Sequence, residues 1–317
     1  MRKRRFLWIT DPWDTLDHPR DTSLRLAEEA IGRGHECWWC DVRDIRVRSG
    51  RCELDARRIE AVNPGRAEKA FRLGERVSTE PGEFTSLQYR VDPPVDLAYL
   101  HPLQLLALAR GRAELVNPAR ALFERNEKLE AWTLGPLGPP GLAATSREAL
   151  EAFGREEGRA VLKPLHEAQS KGVELLDWRT PDGAGAAARA LESASAGFTR
   201  PVLLQRFLPG IAQGELRLWF LDGKLLAWVR KLPLENDFRV NLDRGSRVAA
   251  CELDRHDKAV AQRIARRLDR LRIRLAAVDV IDGFVTDFNF TSPGLIVQME
   301  NVLGENLAGP IVKALAR

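Results

Sequence analysis

The chain has 317 residues, 44% hydrophobic and 30% charged, which suffices to bury a core without disulfides or structural metals. Its 49 Lys and Arg against 45 Asp and Glu leave a formal charge of +4, which permits an anionic ligand but does not demand nucleic acid, and no nucleic-acid partner is expected. No run of about 18 apolar residues predicts a membrane span, Phe6–Ile9 is too short for a signal peptide, and four cysteines suit a reducing cytoplasm.

In chain order, Phe6–Ile9 predicts a strand and residues 10–20 a polar turn-rich segment. Leu24, Leu26, Ala27, Ala30 and Ile31 recur at helical spacing, so 23–33 predicts a helix closed by Gly34. Cys37–Val42 reads as a strand, which makes the Cys37/Cys40 pair buried structural thiols, not a zinc or redox site. Strand, helix and strand suggest a right-handed βαβ unit. Ile45–Val47 and a turn at Ser49-Gly50 follow. Residues 63–86 are charged and weakly patterned. Leu97–Arg110 predicts a helix, Glu114–Pro118 a strand and Ala121–Trp132 a helix carrying Lys128.

Gly135–Gly141 is a connector, Arg147–Arg155 a helix, Arg159–Pro164 a buried strand and Ala184–Ser193 a helix. Three strands follow at 202–207, 216–221 and 225–231, with Asp222-Gly223 as a hairpin turn. Residues 257–272 form a basic amphipathic helix. Ala276–Ile281 and Phe284–Phe290 pair through Asp282-Gly283, and Leu307–Leu315 closes as a helix.

Lys163 ends an apolar strand, where an ammonium either meets an anion or snorkels to water. Asp287 and Asn289 are two apart and share a strand face, with Asp279 on the partner strand. Three hard oxygen donors suit Mg²⁺ (or Mn²⁺) shared with phosphate oxygens; a solvent-facing polar edge is the plainer alternative. Glu215, Arg217, Arg230, Lys231 and Arg239 sit on or beside otherwise apolar strands. With Lys128 and Lys163 they describe a basic pocket beside a metal site, the chemistry of phosphoryl transfer from a nucleotide. No Walker-A loop, dinucleotide fingerprint or nucleophile elbow is present.

Seven stretches carry a resemblance in order: 90–94 (RVDPP), 116–118 (VNP), 126–129 (NEKL), 162–164 (LKP), 205–209 (QRFLP), 278–281 (VDVI) and 289–293 (NFTSP). In these the chain resembles the prokaryotic glutathione synthetases, which are ATP-grasp carboxylate–amine ligases. The resemblance implies an α/β (α+β) fold, an ATP-grasp unit preceded by a small parallel-sheet domain. The implied division is 1–120, 121–200 and 201–317. It implies that Lys128, Lys163 and Lys171 meet ATP phosphates, and that Gln205, Phe207 and Leu208 form the adenine strand. Arg217 and Arg239 would be catalytic, Asp279, Asp287 and Asn289 would hold the metal, and Arg90, Asn241 and Ser292, with Asn289, would line the acceptor site. Leu234–Arg247 would be a lid. The loop after Leu162-Lys163-Pro164 keeps only Gly172 of the family's glycines, with Ser170 and Lys171 as side-chain substitutes. The implied activity joins a peptide or amino-acid carboxylate to an amine through an acyl phosphate, by default γ-glutamylcysteine to glycine in a cytoplasmic homo-oligomer. A ligase for another amino acid or peptide, or a nucleotide-binding protein without turnover, are the alternatives.

Overall fold

Strand β1 (Arg5–Thr10) shows how the core is divided, because its side chains alternate between two clusters. Phe6 and Trp8 enter one, Leu7 and Ile9 the other, as the two-residue period of a strand requires. The computed structural model describes residues 3–61, 71–109, 111, 113–235, 237–242 and 245–317. Helix α1 (Thr22–Gly32) follows, N-capped by the Asp21 side chain, and leads to β2 (Glu36–Asp41), parallel to β1. This is the expected βαβ unit. Cys37 and Cys40 are buried free thiols within it, and burial pushes the Cys37 thiol up to about 12.

Strands β3 (Ile45–Arg48) and β4 (Arg51–Ala61) form a hairpin whose turn residues, Ser49 and Gly50, both have positive φ, the geometry of a tight primed turn. β4 continues into a ribbon with β5 (Phe71–Thr79). The weakly patterned stretch 63–86 therefore holds β5 and the start of β6 (Ser86–Tyr89), while its residues 63–70 lie outside those described. β5 was hard to anticipate because most of its side chains are polar or exposed. β6 lies parallel to β1 and delivers Arg90 at its end. Helix α2 (Leu97–Leu106) stops short of the expected Arg110, itself outside the described residues, and β7 (Glu114–Val116) pairs parallel to β6. The sheet order is β3-β4-β2-β1-β6-β7, with β5 on β4.

The expected helix over 121–132 is corrected. Helix α3 spans only Ala119–Glu124, because the Asn126 side chain accepts the N–H groups of Lys128 and Leu129 and breaks the ladder. Lys128 therefore sits in a turn, followed by 3-10 turns over Glu130–Leu137 that a kink at Gly135 (φ 65°) interrupts. A four-stranded antiparallel sheet comes next, in the order β10-β9-β11-β8. It contains β8 (Gly141–Ala144), β9 (Arg159–Pro164), β10 (Glu174–Asp177) and β11 (Val202–Arg206). Helices α4 (Arg147–Glu157) and α5 (Pro181–Ala194) cover one face, onto which Ala160, Leu162, Val202 and Leu204 point. By alternation, Val161, Lys163 and Gln205 point to the other face.

The third sheet runs β14-β13-β12-β15-β16, all antiparallel. It is built from β12 (Glu215–Leu221), β13 (Lys224–Leu232), β14 (Arg247–Ala249), β15 (Leu275–Ile281) and β16 (Phe284–Asn289). The two hairpin turns place Asp222, Gly223, Asp282 and Gly283 at positive φ. Basic helix α6 (Arg255–Arg270) packs Val260, Ile264 and Leu268 into the core that contains Leu216, Leu218 and Val278. Helices α7 (Ile296–Leu303) and α8 (Ala308–Leu315) return to the first sheet and bury Met299, Ile311 and Leu315 against the cluster of Phe6, Trp8 and Leu26. Asn117 fastens the first sheet to the third. Its Nδ2 donates to the carbonyls of Leu275 and Phe290, and its Oδ1 accepts from Arg274 and Leu275.

Candidate active site

One face of the third sheet changes character along its strands. Ala227, Val229, Trp219, Leu275 and Ala277 are buried and apolar at one end. At the other end the same alternation presents Glu215, Arg217, Lys231, Asp279, Asp287 and Asn289. Cross-strand register brings them together: Glu215 lies opposite Lys231, Arg217 opposite Asp279, and Asp279 opposite Asp287.

Arg217 grips Asp279 with two bonds of 2.9 and 2.6 Å. Lys231 Nζ lies 2.5 Å from Glu215 and 3.2 Å from Asp279. The pairs are almost wholly buried, where a lone charge would be costly. Burial alone would raise the Asp279 carboxyl, but Arg217 and Lys231 outweigh it and hold the group far below the usual carboxylate range. Burial pushes the Glu215 carboxyl up, and Lys231 opposes that only in part.

The charged face looks across a cleft at the uncovered face of the second sheet. Lys163 bridges the gap by donating from Nζ to the Thr286 carbonyl at 3.1 Å. Burial lowers its ammonium pKa, against the pull of Asp287. Lys128 Nζ donates to the Glu167 carbonyl. The cleft is open to solvent. Its apolar end has Val161, Phe207, Leu208, Ile211 and Ile281. Arg159 lies 4.1 Å over the Phe207 ring, and Phe238 meets Phe207 edge-on at 6.4 Å.

Asp287 Oδ1 is buried and has no hydrogen-bond partner. An oxygen with no donor is the kind of group a cation satisfies. Asn289 donates from Nδ2 to the Ala277 carbonyl and to Asp279, which leaves its amide oxygen as a second ligand on the same face. Asp279, the third expected ligand, has both oxygens committed to Arg217 and Lys231. Among the described residues no three His, Cys, Asp or Glu converge as a metal cage. The arrangement thus fits Mg²⁺ only as an ion that takes most of its oxygens from phosphates.

A second cavity of about 1520 Å³ opens beside the first and shares Ala168, Gln169, Arg217, Lys231, Val240 and Asn289 with it. Arg90, Asn241 and Ser292, the expected acceptor residues, all line it. Arg90 is buried and donates to Ser23 at 3.1 Å and to the Pro293 carbonyl at 2.7 Å. Lys171 and Arg239 line the first cleft, with Arg239 paired to Asp237 at 3.0 Å. Of the expected lid, residues 236, 243 and 244 lie outside the described structure.

Two contributors gain a role only from the structure, although Glu127 stands inside the 126–129 stretch. Glu127 is buried, and its Oε1 accepts from the N–H groups of Phe290 (2.5 Å) and Thr291 (2.7 Å) and from the Thr291 hydroxyl (3.0 Å). Burial and the charge of Asp287 push its carboxyl up to about 7. Gln169 takes φ 54°, donates to Asp92 at 3.3 Å and accepts on its carbonyl from Asn241 at 2.9 Å. The loop 165–172 is thereby tied both to the first sheet's loops and to the 234–247 segment.

Comparison with known proteins bears on this geometry. A model of the prokaryotic glutathione synthetase ATP-grasp domain matches residues 127–304, and one of that family's N-terminal domain matches 5–122. The chain belongs to the prokaryotic glutathione synthetase family. A glutathione synthetase of Prochlorococcus marinus (strain MIT 9313) is 33% identical over 98% of each chain. That of Xanthomonas axonopodis pv. citri (strain 306) is 30% identical over 97% of this chain and 96% of its own. Among solved structures, the D-cycloserine synthetase DcsG superposes with a TM-score of 0.67 at 17% identity, covering 98% of this chain and 99% of its own. The ATP-grasp ligase PsnB with a minimal precursor gives 0.62 at 19% identity over 98% of each chain. The fold is an ATP-grasp fold of the α/β class, and the chain is an ATP-dependent carboxylate–amine ligase. No described helix is long and apolar enough to cross a membrane.

Proposed function

We propose that this family member makes glutathione, joining the cysteinyl carboxylate of γ-glutamylcysteine to the amine of glycine with ATP and Mg²⁺. The observation that carries the reading is the pairing across the cleft. Lys163 and Lys128 face a sheet whose Asp287 oxygen lacks a donor, and the acceptor cavity opens beside Arg217, Lys231 and Asn289. The family relatives bearing the name glutathione synthetase supply the substrate pair. We divide the chain as 1–120, 121–200 and 201–317, on the support of the first sheet lying within 1–120 and the third within 201–317; the second lies within 121–200 except for β11 (Val202–Arg206). Four cysteines, all free thiols, support a reducing cytoplasm.

In this reading the adenine lies among Val161, Phe207, Leu208 and Ile281, beside Gln205, and Lys128, Lys163 and Lys171 hold the phosphates. Asp287 and Asn289, with Asp279 beside them, would hold Mg²⁺, which supplies charge neutralisation on the phosphate oxygens. The carboxylate oxygen attacks the γ-phosphorus and ADP departs. The amine then attacks the acyl carbon, loses a proton, and phosphate leaves. Arg217, Arg239 and Lys231 are cations aimed where negative charge builds on the transferred group, and their fixed positions cost no reorganisation. Arg90, Asn241 and Ser292 position the peptide substrate.

The test is phosphate release from ATP and Mg²⁺ with γ-glutamylcysteine and glycine, with the product identified by mass. Release that requires both substrates and yields glutathione is expected. Release with another dipeptide or amino acid but none with γ-glutamylcysteine would reassign the substrate. ATP binding without release for any pair would remove the catalytic reading.

A further inference from the structure

Glu127 takes no part in the roles assigned above, yet it is buried against the strand that carries Asp287 and Asn289. β16 is the outer strand of the third sheet, so its alternate N–H groups point away from β15 with no strand to receive them. One residue receives two in succession. The backbone carbonyl of Glu127 accepts from Phe288 N–H at 3.0 Å. Its Oε1 accepts from the next such group, Phe290 N–H, and from the N–H and hydroxyl of Thr291. Main chain and side chain of Glu127 together stand in for a neighbouring strand.

The residues held this way alternate with those that carry the oxygens. Phe288 lies between Asp287 and Asn289, and Phe290 follows Asn289, the last residue of β16. Strand ends are the first parts of a sheet to open, and Mg²⁺ demands near-octahedral geometry from its oxygens. The Glu127 side chain is fastened just beyond Asn289, where opening of the strand would begin. The turn that carries Lys128 is held by a different group. The Asn126 side chain accepts from Lys128 and Leu129 N–H, and its Nδ2 donates to the Leu165 carbonyl at 2.8 Å. The phosphate-facing lysine and the end of the oxygen-bearing strand therefore have separate supports.

We infer that Glu127 is a positioning residue for the metal: by closing the free edge of β16 it fixes the Asp287 and Asn289 oxygens at the spacing a divalent cation requires. The inference rests on the proposed metal at those two residues and is independent of which substrates are joined. Two rival roles predict different behaviour. A Glu127 that only satisfies buried N–H groups contributes stability and leaves the ion untouched. A Glu127 that acts by its charge, close enough to Asp287 for the two to repel, attracts the ion wherever its oxygen sits.

The test is calorimetric binding of ADP to the full chain, once with Mg²⁺ and once with EDTA; the gain on adding Mg²⁺ reports the ion alone. Glu127→Asp keeps the charge but is one methylene too short to hold Phe290 and Thr291. It should lose about 10-fold or more of that gain, with ADP binding in EDTA unchanged. Glu127→Gln removes the charge but keeps an accepting oxygen at full reach, and it should retain the native gain. Hydrogen exchange of the amides at 288–291 should quicken in Glu127→Asp and not in Glu127→Gln. A native gain in Glu127→Asp, with or without a lower thermal midpoint, overturns the inference and leaves Glu127 structural. Loss of the gain in Glu127→Gln overturns it in favour of charge, and loss of ADP binding in EDTA overturns it in favour of a support for the whole nucleotide site. Asp287→Asn separates this inference from the metal assignment. If the native protein shows no gain, or Asp287→Asn keeps it, the metal assignment falls and the inference with it. If Asp287→Asn loses the gain while Glu127→Asp keeps it, the inference alone falls.

Discussion

The nucleotide cleft and the acceptor cavity share Arg217, Lys231 and Asn289 but are built in different ways. The cleft's charged wall consists of neighbouring strands, so cross-strand register alone sets Arg217 against Asp279 and Asp279 against Asp287. The acceptor cavity consists of helix starts and loop ends: Asp21 before α1, Arg90 after β6, Ser292 after β16 and Gln298 in α7. Hydrogen bonds far apart in sequence, such as Arg90 to the Pro293 carbonyl, hold these pieces in place. The strand-built wall couples stability to chemistry, while the loop-built cavity can vary with little effect on the fold.

The sharpest test of that contrast is Arg217→Met. It leaves buried Asp279 with Lys231 as its one charged partner among the described residues and an amide bond from Asn289, and breaking a buried pair costs about 3–5 kcal/mol. Urea unfolding should show a loss of that size, and turnover should fall at least ~100-fold. Acid unfolding adds a signed prediction. Asp279 is held below its ordinary 3.8. Its contribution is therefore present above that value and is lost as pH falls toward the lower folded value. The acid midpoint of Arg217→Met should move to higher pH than the native midpoint. Unchanged urea and acid midpoints would show that the wall does not carry stability. Arg90→Met at the loop-built site should cost less, because its hydrogen bonds go to a hydroxyl and a carbonyl and Asp21 and Asp92 act on it through charge without a direct ion pair.

A smaller effect is expected where the wall meets no partner of its own. Asp287→Asn keeps the shape and replaces the unpartnered oxygen with an amide. We expect the Mg²⁺ concentration for half-maximal phosphate release to rise about 10–100-fold, with the thermal midpoint nearly unchanged. A large fall in midpoint with an unaltered Mg²⁺ requirement would make Asp287 structural instead.

How much of this could be read from the sequence follows the same division. The alternation in β12, β15 and β16 is local, so a two-residue period shows which charges share a face before any fold is known. The pairing of Arg217 with Asp279 is invisible there, because register depends on which strands become neighbours. Lys128 was expected on a helix, and the misreading came from Asn126, whose side chain can either continue a helix or cap a turn. A strand within 63–86 could not be given bounds, because the polar side chains of β5 give no periodic signal. Gln298, whose buried Oε1 has no hydrogen-bond partner, had no motif at all, since an unpaired oxygen becomes apparent only when the surrounding atoms are placed.

The loop between the two sites, 165–172, offers the finest test. It has lost most of the glycines expected of its family, yet Gln169 and Ser170 adopt φ 54° and 60°, the region glycine favours. For a residue with a Cβ this costs about 1–2 kcal/mol. Gln169→Gly would recover that cost but lose the bond to Asp92 and add freedom to the unfolded chain. The Asn241 bond would survive, because it goes to the backbone carbonyl. The three terms nearly cancel, so thermal unfolding should change by no more than about 0.5 kcal/mol. Gly172→Ala has no such compensation. Gly172 has φ +66°, and a Cβ there would lie 2.8 Å from Pro164 Cγ, a contact the rigid proline ring cannot relieve. A loss of about 1–3 kcal/mol is expected. If Gln169→Gly proved the more damaging change, the Gln169–Asp92 contact would be fixing the loop, and the surviving glycine would not.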